Sequence, residues 1–250
     1  MVERTTALAG ISYTKPEDGS PTVKVASVET ALYYIPLAVE MTDARHGIMR
    51  DFAVVTVRIR TEDGAEGLGY TYTVGQTGGT AVLALVRDDL APLLAGVDPR
   101  RTEQLWEKMW WQLHYVGRGG IASFAISAVD IALWDLKAKL AGEPLWRLLG
   151  GHDPHVKVYA GGIDLELPLD QLRRQTEANL RRGFRAIKMK VGRDRLRDDV
   201  ARVAAVRECI GPDIPLMVDA NMRWTVEQAI RASHAFADYD VYWLEEPTIP

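Results

Sequence analysis

Hydrophobic positions change their period along this chain. From 22 to 73 they alternate with polar ones in "VKVASVETALYYIPL", "FAVVTVRIRT" and "AEGLGYTYT", with the turn signal "EDG" before the last. Period two is that of half-buried strands. A three-stranded antiparallel meander is predicted, with a polar loop over 38–50 joining its first two strands. The period then becomes helical over 80–94, 101–115 and 122–140, with Gly142 as a stop signal and Pro144 just beyond. A sheet followed by helices makes an α+β domain.

After "PLWRLLGG" and the short polar linker "HDPH", strands and helices alternate. "VKVYAGG", "AIKMKVG", "LMVDAN" and "VYWLEEP" read as strands, separated by helical patterns over 169–182, 196–210 and 225–237. That order implies right-handed βαβ units and a parallel sheet, with barrel or open sheet undecided. The expected organisation is a tail over 1–21, marked by "KPEDGSP", an α+β domain over 22–151 and an α/β domain over 152–250.

Composition narrows the partners. At 250 residues and 47% hydrophobic, the chain supports two cores. Its 30 Lys and Arg against 34 Asp and Glu give a charge of -4, with no basic block to track a phosphate backbone, so nucleic acid is not expected. Cys209 has no partner for an internal disulfide, and "MVERTTALAG" lacks a signal-peptide pattern, so a cytoplasmic protein is expected. The apolar run over 121–136 is interrupted by Ser123, Ser127, Asp130 and Asp135, which excludes a membrane span there.

The candidate chemistry lies on the strands. Lys188 and Lys190 in "AIKMKVG" share one face, while Ile187, Met189 and Val191 face the helices. Taken alone, "KMK" reads equally as a wet strand face or a lysine-protected edge. Two further strands end in carboxylates: "LMVDAN" in Asp219 and Asn221, "VYWLEEP" in Glu245 and Glu246. Alone, each acid reads as a helix cap or first-turn charge. Yet 29 residues separate Lys190 from Asp219 and 26 separate Asp219 from Glu245, one βα unit each time. Carboxylates on neighbouring strand ends can converge on one hard cation such as Mg²⁺.

This ordered set, together with "AVDIALWDLKAKLAGEPLWRLLGG", closely resembles the enolase superfamily, in the branch of mandelate racemase, muconate lactonizing enzyme and the acid-sugar dehydratases. The resemblance covers nearly the whole chain. It implies a capping domain followed by a TIM-type (β/α) barrel, with Lys190 as general base, Lys188 as its companion, Asp219 and Glu245 as the first two metal ligands and Asn221 at the substrate. A lysine base working with Mg²⁺ is a property of that superfamily, carried over by resemblance. Proton removal beside a carboxylate makes an enediolate, whose extra charge a divalent metal stabilises. Free lysine titrates near 10.4, and a second cation at Lys188 is expected to bring Lys190 down toward a useful value.

Four strands are visible where a closed barrel needs eight. The family's third acidic ligand and second acid/base group fall beyond residue 250. The expectation is a truncated sequence, the alternative a second copy completing the sheet. The leading function is Mg²⁺-dependent dehydration of an acid sugar or other hydroxy acid, with racemase, epimerase or cycloisomerase chemistry as the alternative. A Schiff-base lyase or aldolase and a non-catalytic barrel stay open, although neither explains the carboxylate spacing. A homo-oligomer is also expected.

Weaker signals complete the reading. The stretch "AVEMTDARHGIMRD", 38–51, offers Asp43, Arg45 and His46 as substrate contacts over the barrel mouth, or is a solvated loop. "YTVGQTGGT", 72–80, is a second candidate lid. "VGRGG", 116–120, follows a helix and lacks a phosphate-loop pattern. His152 and His155 read as solvent-exposed, His114 and His234 carry no catalytic signal, and Trp106, Trp110 and Trp111 read as core or subunit packing.

Overall fold

The computed structural model describes residues 22–250, so the expected N-terminal tail lies outside the described residues. Strands β1 (Val25–Asp43), β2 (Gly47–Thr61) and β3 (Glu66–Val74) form an antiparallel sheet in that order. The alternation in β2 buries Ala53, Val55, Val57 and Ile59 on one face. Helix α1 (Gly79–Ala84) continues through a π-helical turn (Leu85–Leu90) into α2 (Ala91–Leu94). Its core residues Val82, Val86, Leu90 and Leu94 recur every four positions, all fully buried. A strict four-residue repeat drifts around a 3.6-residue helix, and the wider π turn keeps the repeat on the core face.

Helices α3 (Thr102–Leu113) and α4 (Ile121–Ala141) complete this unit, followed by the short α5 (Leu145–Leu148). The small face of α4 lies directly on β3: a Cβ at Gly67 or Gly69 would come within 2.1 Å of the Ala132 or Ala128 carbonyl oxygen. Gly142, in the left-handed region, ends α4 as expected, with the Glu143 N–H donating to Ala138 O at 3.1 Å.

The second unit has its own core, built around Ile187, Met189, Val191, Leu216, Val218 and Phe236. Strands β4 (Ala160–Gly161), β5 (Ile187–Lys190), β6 (Leu216–Asp219) and β7 (Val241–Glu245) form a parallel sheet in chain order. Helices α6 (Leu169–Arg181), α7 (Leu196–Ile210) and α8 (Val226–Ala237) connect them. Thr225 and Gln228 form a capping box at the start of α8. Among the described residues, no helix is long and apolar enough to cross a membrane.

Two expectations need correction. The 38–50 stretch is not an open loop: after an irregularity beyond Pro36, Met41, Thr42 and Asp43 pair with Met49, Ile48 and Gly47, so one long hairpin ends in a turn over 44–46. Backbone pairing does not require apolar side chains, which is why polarity misled. "VKVYAGG" pairs with β5 only at Ala160 and Gly161, and Val156 and Val158 are exposed. The 72–80 stretch is a fixed connection at its start, since Gly75 accepts from Ala53 N–H and donates to Asp51 O.

Candidate active site

Parallel register puts Lys190, Asp219 and Glu245 in one row across β5, β6 and β7. Lys188 lies one step earlier on the same face of β5. Lys190 Nζ donates to Asp219 Oδ2 at 2.7 Å, and Lys188 Nζ donates to both Glu245 oxygens at 2.8 and 2.9 Å. Lys188 Nζ also lies 3.5 Å from Asp219 Oδ2. Asp219 and Lys190 are buried, so these charges meet in a poorly solvated place. Burial acts to lower the Lys188 pKa, but the hydrogen bond and charge of Glu245, followed by the charge of Asp219, outweigh it and raise it. Lys188 therefore stands as an ammonium between two carboxylates.

Asn221, expected near the substrate, lies at the end of β6. Its N–H donates to Asp219 Oδ1 at 3.0 Å, while its side-chain Oδ1 is buried without a protein partner. Asn221, Met222 and Glu246 all have positive φ, at 45°, 58° and 41°. Non-glycine residues there store strain, and such strain gathers at binding loops. Sequence gives no signal for it.

The hairpin tip reaches this rim. Asp43 Oδ1 accepts from the Arg45 and His46 N–H groups at 2.9 and 2.6 Å, and its Oδ2 lies 2.9 Å from His46 Nδ1. Burial acts to raise the Asp43 pKa, but these bonds to His46 and Arg45 overcome it and hold it low. Arg45 then donates across to Met222 O at 3.2 Å, one residue past Asn221. The structure thus brings Arg45 to the loop after β6, while His46 is held to Asp43 in the same turn.

Other residues here gave no functional signal in sequence. Trp243 on β7 donates from Nε1 to Glu245 Oε2 at 3.2 Å, and Lys188 Nζ lies 5.4 Å from the Tyr159 ring centre. Tyr159 and Trp243, on opposite edges of the sheet, meet edge to face at 5.7 Å between ring centres. Strands sit about 4.8 Å apart, so a contact spanning four strands requires a strongly concave face. A cavity of about 550 Å³ with Arg193, Arg223 and Arg231 in its wall is separate from this cluster. His155 is exposed and bonded to Asp153 at 2.7 Å.

The donor set suits a hard divalent cation: two carboxylates converge on one positive charge, and Asn221, whose N–H bonds Asp219, keeps its amide oxygen unpartnered. Among the described residues, no group of three His, Cys, Asp or Glu side chains is gathered to hold a metal. Residues 21–150 match the mandelate racemase/muconate lactonizing enzyme N-terminal domain, and residues 171–250 match the enolase C-terminal domain-like family.

The chain belongs to the mandelate racemase/muconate lactonizing enzyme branch of the enolase superfamily.

Among relatives of this family, 3,6-anhydro-α-L-galactonate cycloisomerase of Streptomyces coelicolor is 59% identical over 90% of this chain and 62% of its own. L-talarate/galactarate dehydratase of Salmonella typhimurium is 38% identical over 97% of this chain and 61% of its own. A crystal structure of a Streptomyces coelicolor racemase with bound magnesium superposes with a TM-score of 0.88 at 59% identity, over 90% of this chain and 63% of that one. The chain thus spans less than two-thirds of the length of these relatives. The N-terminal unit is the family's capping domain, and the C-terminal unit its α/β domain.

Proposed function

We propose that this chain carries the proton-abstracting half of an acid-sugar cycloisomerase, with Lys190 as base. The observation that carries the reading is the row Lys190, Asp219 and Glu245, with Lys188 between the two carboxylates. Asp219 and Glu245 would hold Mg²⁺, which when bound supplies positive charge to the substrate carboxylate as negative charge develops there. Lys188 places a further ammonium beside that carboxylate. Lys190 Nζ takes the proton from the carbon next to it. Arg45, His46 and Asn221 offer donors and acceptors for substrate hydroxyls, and the Tyr159 and Trp243 rings line the concave face.

The enediolate then expels the oxygen on the β carbon. In an open-chain acid sugar that oxygen leaves as water after gaining a proton, which is the dehydration the sequence favoured. In a 3,6-anhydro acid the same oxygen is a ring ether. Its C–O bond breaks and it takes up a proton, but it stays attached at the other end, so the product is an isomer. The enol becomes a 2-keto-3-deoxy acid in both cases. The relative at 59% identity acts as a cycloisomerase, while the dehydratase stands at 38%, which moves the reading to ring opening with the same residues.

We further infer that the concave sheet is the first half of a (β/α) barrel completed by βα units of a longer polypeptide. The exposed Tyr242 and Ile249 on one side and Val156 and Val158 on the other support this, since further strands would cover them. A third acidic ligand and a second acid/base group are assigned to that remainder.

The deciding experiment incubates the full-length polypeptide and Mg²⁺ with 3,6-anhydro-L-galactonate and with galactarate in D₂O. Deuterium is expected by NMR at C3 of the 2-keto-3-deoxy product, where the enol takes up its proton, and at the α carbon of recovered substrate, and Lys190→Ala is expected to lose both. Undiminished exchange in Lys190→Ala would sink the assignment. A metal-independent adduct on Lys190, trapped by borohydride, would replace it with Schiff-base chemistry.

A further inference from the structure

The structure assigns Asp164 the role of a positioning residue for Lys190, an inference that rests on Lys190 being the base. The β4–β5 ladder ends where the Gly162 N–H donates to Lys188 O at 2.9 Å. Alternate residues of a parallel strand donate to the same neighbour, so the next donor toward β4 is the Lys190 N–H. It meets no backbone carbonyl. Instead it donates to Asp164 Oδ1 at 3.0 Å, a side-chain acceptor standing in for the missing rung.

That carboxylate is held from every side. Gln175 Nε2 donates to its Oδ2 at 2.7 Å, and the Arg202 guanidinium donates to its Oδ1 at 3.3 Å and to the Asp164 backbone oxygen at 2.8 Å. Asp164 and Arg202 are 2% and 1% exposed, so no water shares these bonds from bulk solvent. Gly162 leaves the space: a Cβ there would come within 1.8 Å of Asp164 Oδ2.

The same segment is pinned to the capping hairpin. The Thr42 N–H donates to Ile163 O at 3.2 Å, the Leu165 N–H to Thr42 O at 3.1 Å, and the Glu166 N–H to Thr42 Oγ1 at 2.9 Å. Thr42 immediately precedes Asp43, whose carboxylate shapes the Arg45–His46 turn. Asp164 is therefore the joint between the two: the backbone on either side of it is held by the hairpin, and its carboxylate holds the strand carrying the base. It fixes the backbone from which Lys190 Nζ is presented to the row of carboxylates.

The test compares Asp164→Ala with Asp164→Asn in the full-length protein with Mg²⁺. Asparagine keeps an oxygen for the Lys190 N–H but loses the charge facing Arg202, so both variants are expected to lose thermal stability. In Asp164→Ala, amide hydrogen exchange at Lys190 should accelerate while Ile187 and Val191 stay protected. Its kcat for α-proton exchange should fall about 10²-fold with KM little changed, as expected for a misplaced reacting group. Asp164→Asn should restore Lys190 amide protection and bring kcat back to within about threefold of wild type, a difference under 1 kcal/mol. Unchanged Lys190 protection in Asp164→Ala overturns the inference, as does an equal loss of kcat in both variants. Absence of both α-proton exchange and 2-keto-3-deoxy product in the wild type overturns the proposed function itself, and the amide readout, which needs no substrate, tells the two failures apart.

Discussion

Two charged clusters lie within one α/β unit, the first sealed and the second half-buried, with the Glu245 side chain 34% exposed, and they are satisfied in opposite ways. Around Asp164, Asp199 and Arg202 many of the partners are backbone. Asp199 accepts from the Gly192 N–H at 3.0 Å and the Arg193 N–H at 3.1 Å, and Arg202 donates to the carbonyls of Leu167 and Asp164 at 2.7 and 2.8 Å. Around Lys188, Lys190, Asp219 and Glu245 the ion pairs run between side chains, and each cluster leaves one buried atom over, Arg202 Nε in the first and Asn221 Oδ1 in the second. Backbone partners are fixed by the fold and cannot be released without unfolding. Side-chain ammonium groups can rotate away, so the second cluster can exchange its internal partners for a metal and a substrate, whereas the first can only hold the loops in place.

The comparison breaks most visibly if the open cluster proves structural. Asp219→Asn and Glu245→Gln are expected to lower turnover at least about 10³-fold, with the circular dichroism spectrum and melting temperature near wild type. Mg²⁺ titration should show the accompanying loss of affinity, and unchanged binding and turnover in both variants would move the pair to the structural side.

The sealed cluster should answer in stability. Arg202→Met leaves the Asp164 carboxylate buried without its countercharge and should cost about 3–5 kcal/mol, read by urea unfolding. A loss below about 1 kcal/mol would show that the network does not depend on its charge.

Asp199 sharpens the contrast through pH. Burial holds its folded-state pKa above the ordinary 3.8, at about 6, against the opposing N–H groups of Arg193 and Gly192. The folded state keeps that proton after the unfolded chain has lost it. Its contribution is therefore most favourable below pH 3.8 and declines as pH rises to about 6, a difference of up to about 3 kcal/mol. Unfolding free energies at these two pH values should differ by that amount less in Asp199→Asn than in wild type. Equal pH slopes would remove the buried-carboxylate account.

The smallest expected effect is at the hairpin. Arg45→Ala and His46→Ala should change kcat/KM by about tenfold, or 1.4 kcal/mol, unevenly across mono- and diacid sugars. A uniform effect on every acid would reduce the tip to a solvated turn.

Much of the open cluster was legible before any coordinates. Period-two alternation put Lys188 and Lys190 on one face, and the βα spacing put Asp219 and Glu245 on neighbouring strand ends, because strand and helix periods are local properties of the chain. The sealed cluster was not legible. Asp164 lies in a short loop after two paired residues, and Asp199 and Arg202 look like ordinary helix charges until α7 is folded against that loop. The 38–50 stretch misled for a related reason: its pairing is made by backbone groups that polar residues possess as well as apolar ones.

Sequence alone therefore determined the order of elements, the two sheets and the residue types offered at the strand ends. Tertiary structure alone decided that the face is concave enough for Tyr159 to meet Trp243, that the hairpin tip reaches Met222, and that a side chain completes the ladder at Lys190. Each of these contacts joins residues too far apart in sequence for any local period to register. Their geometry is set by sheet curvature and loop packing, which emerge only when both cores have formed.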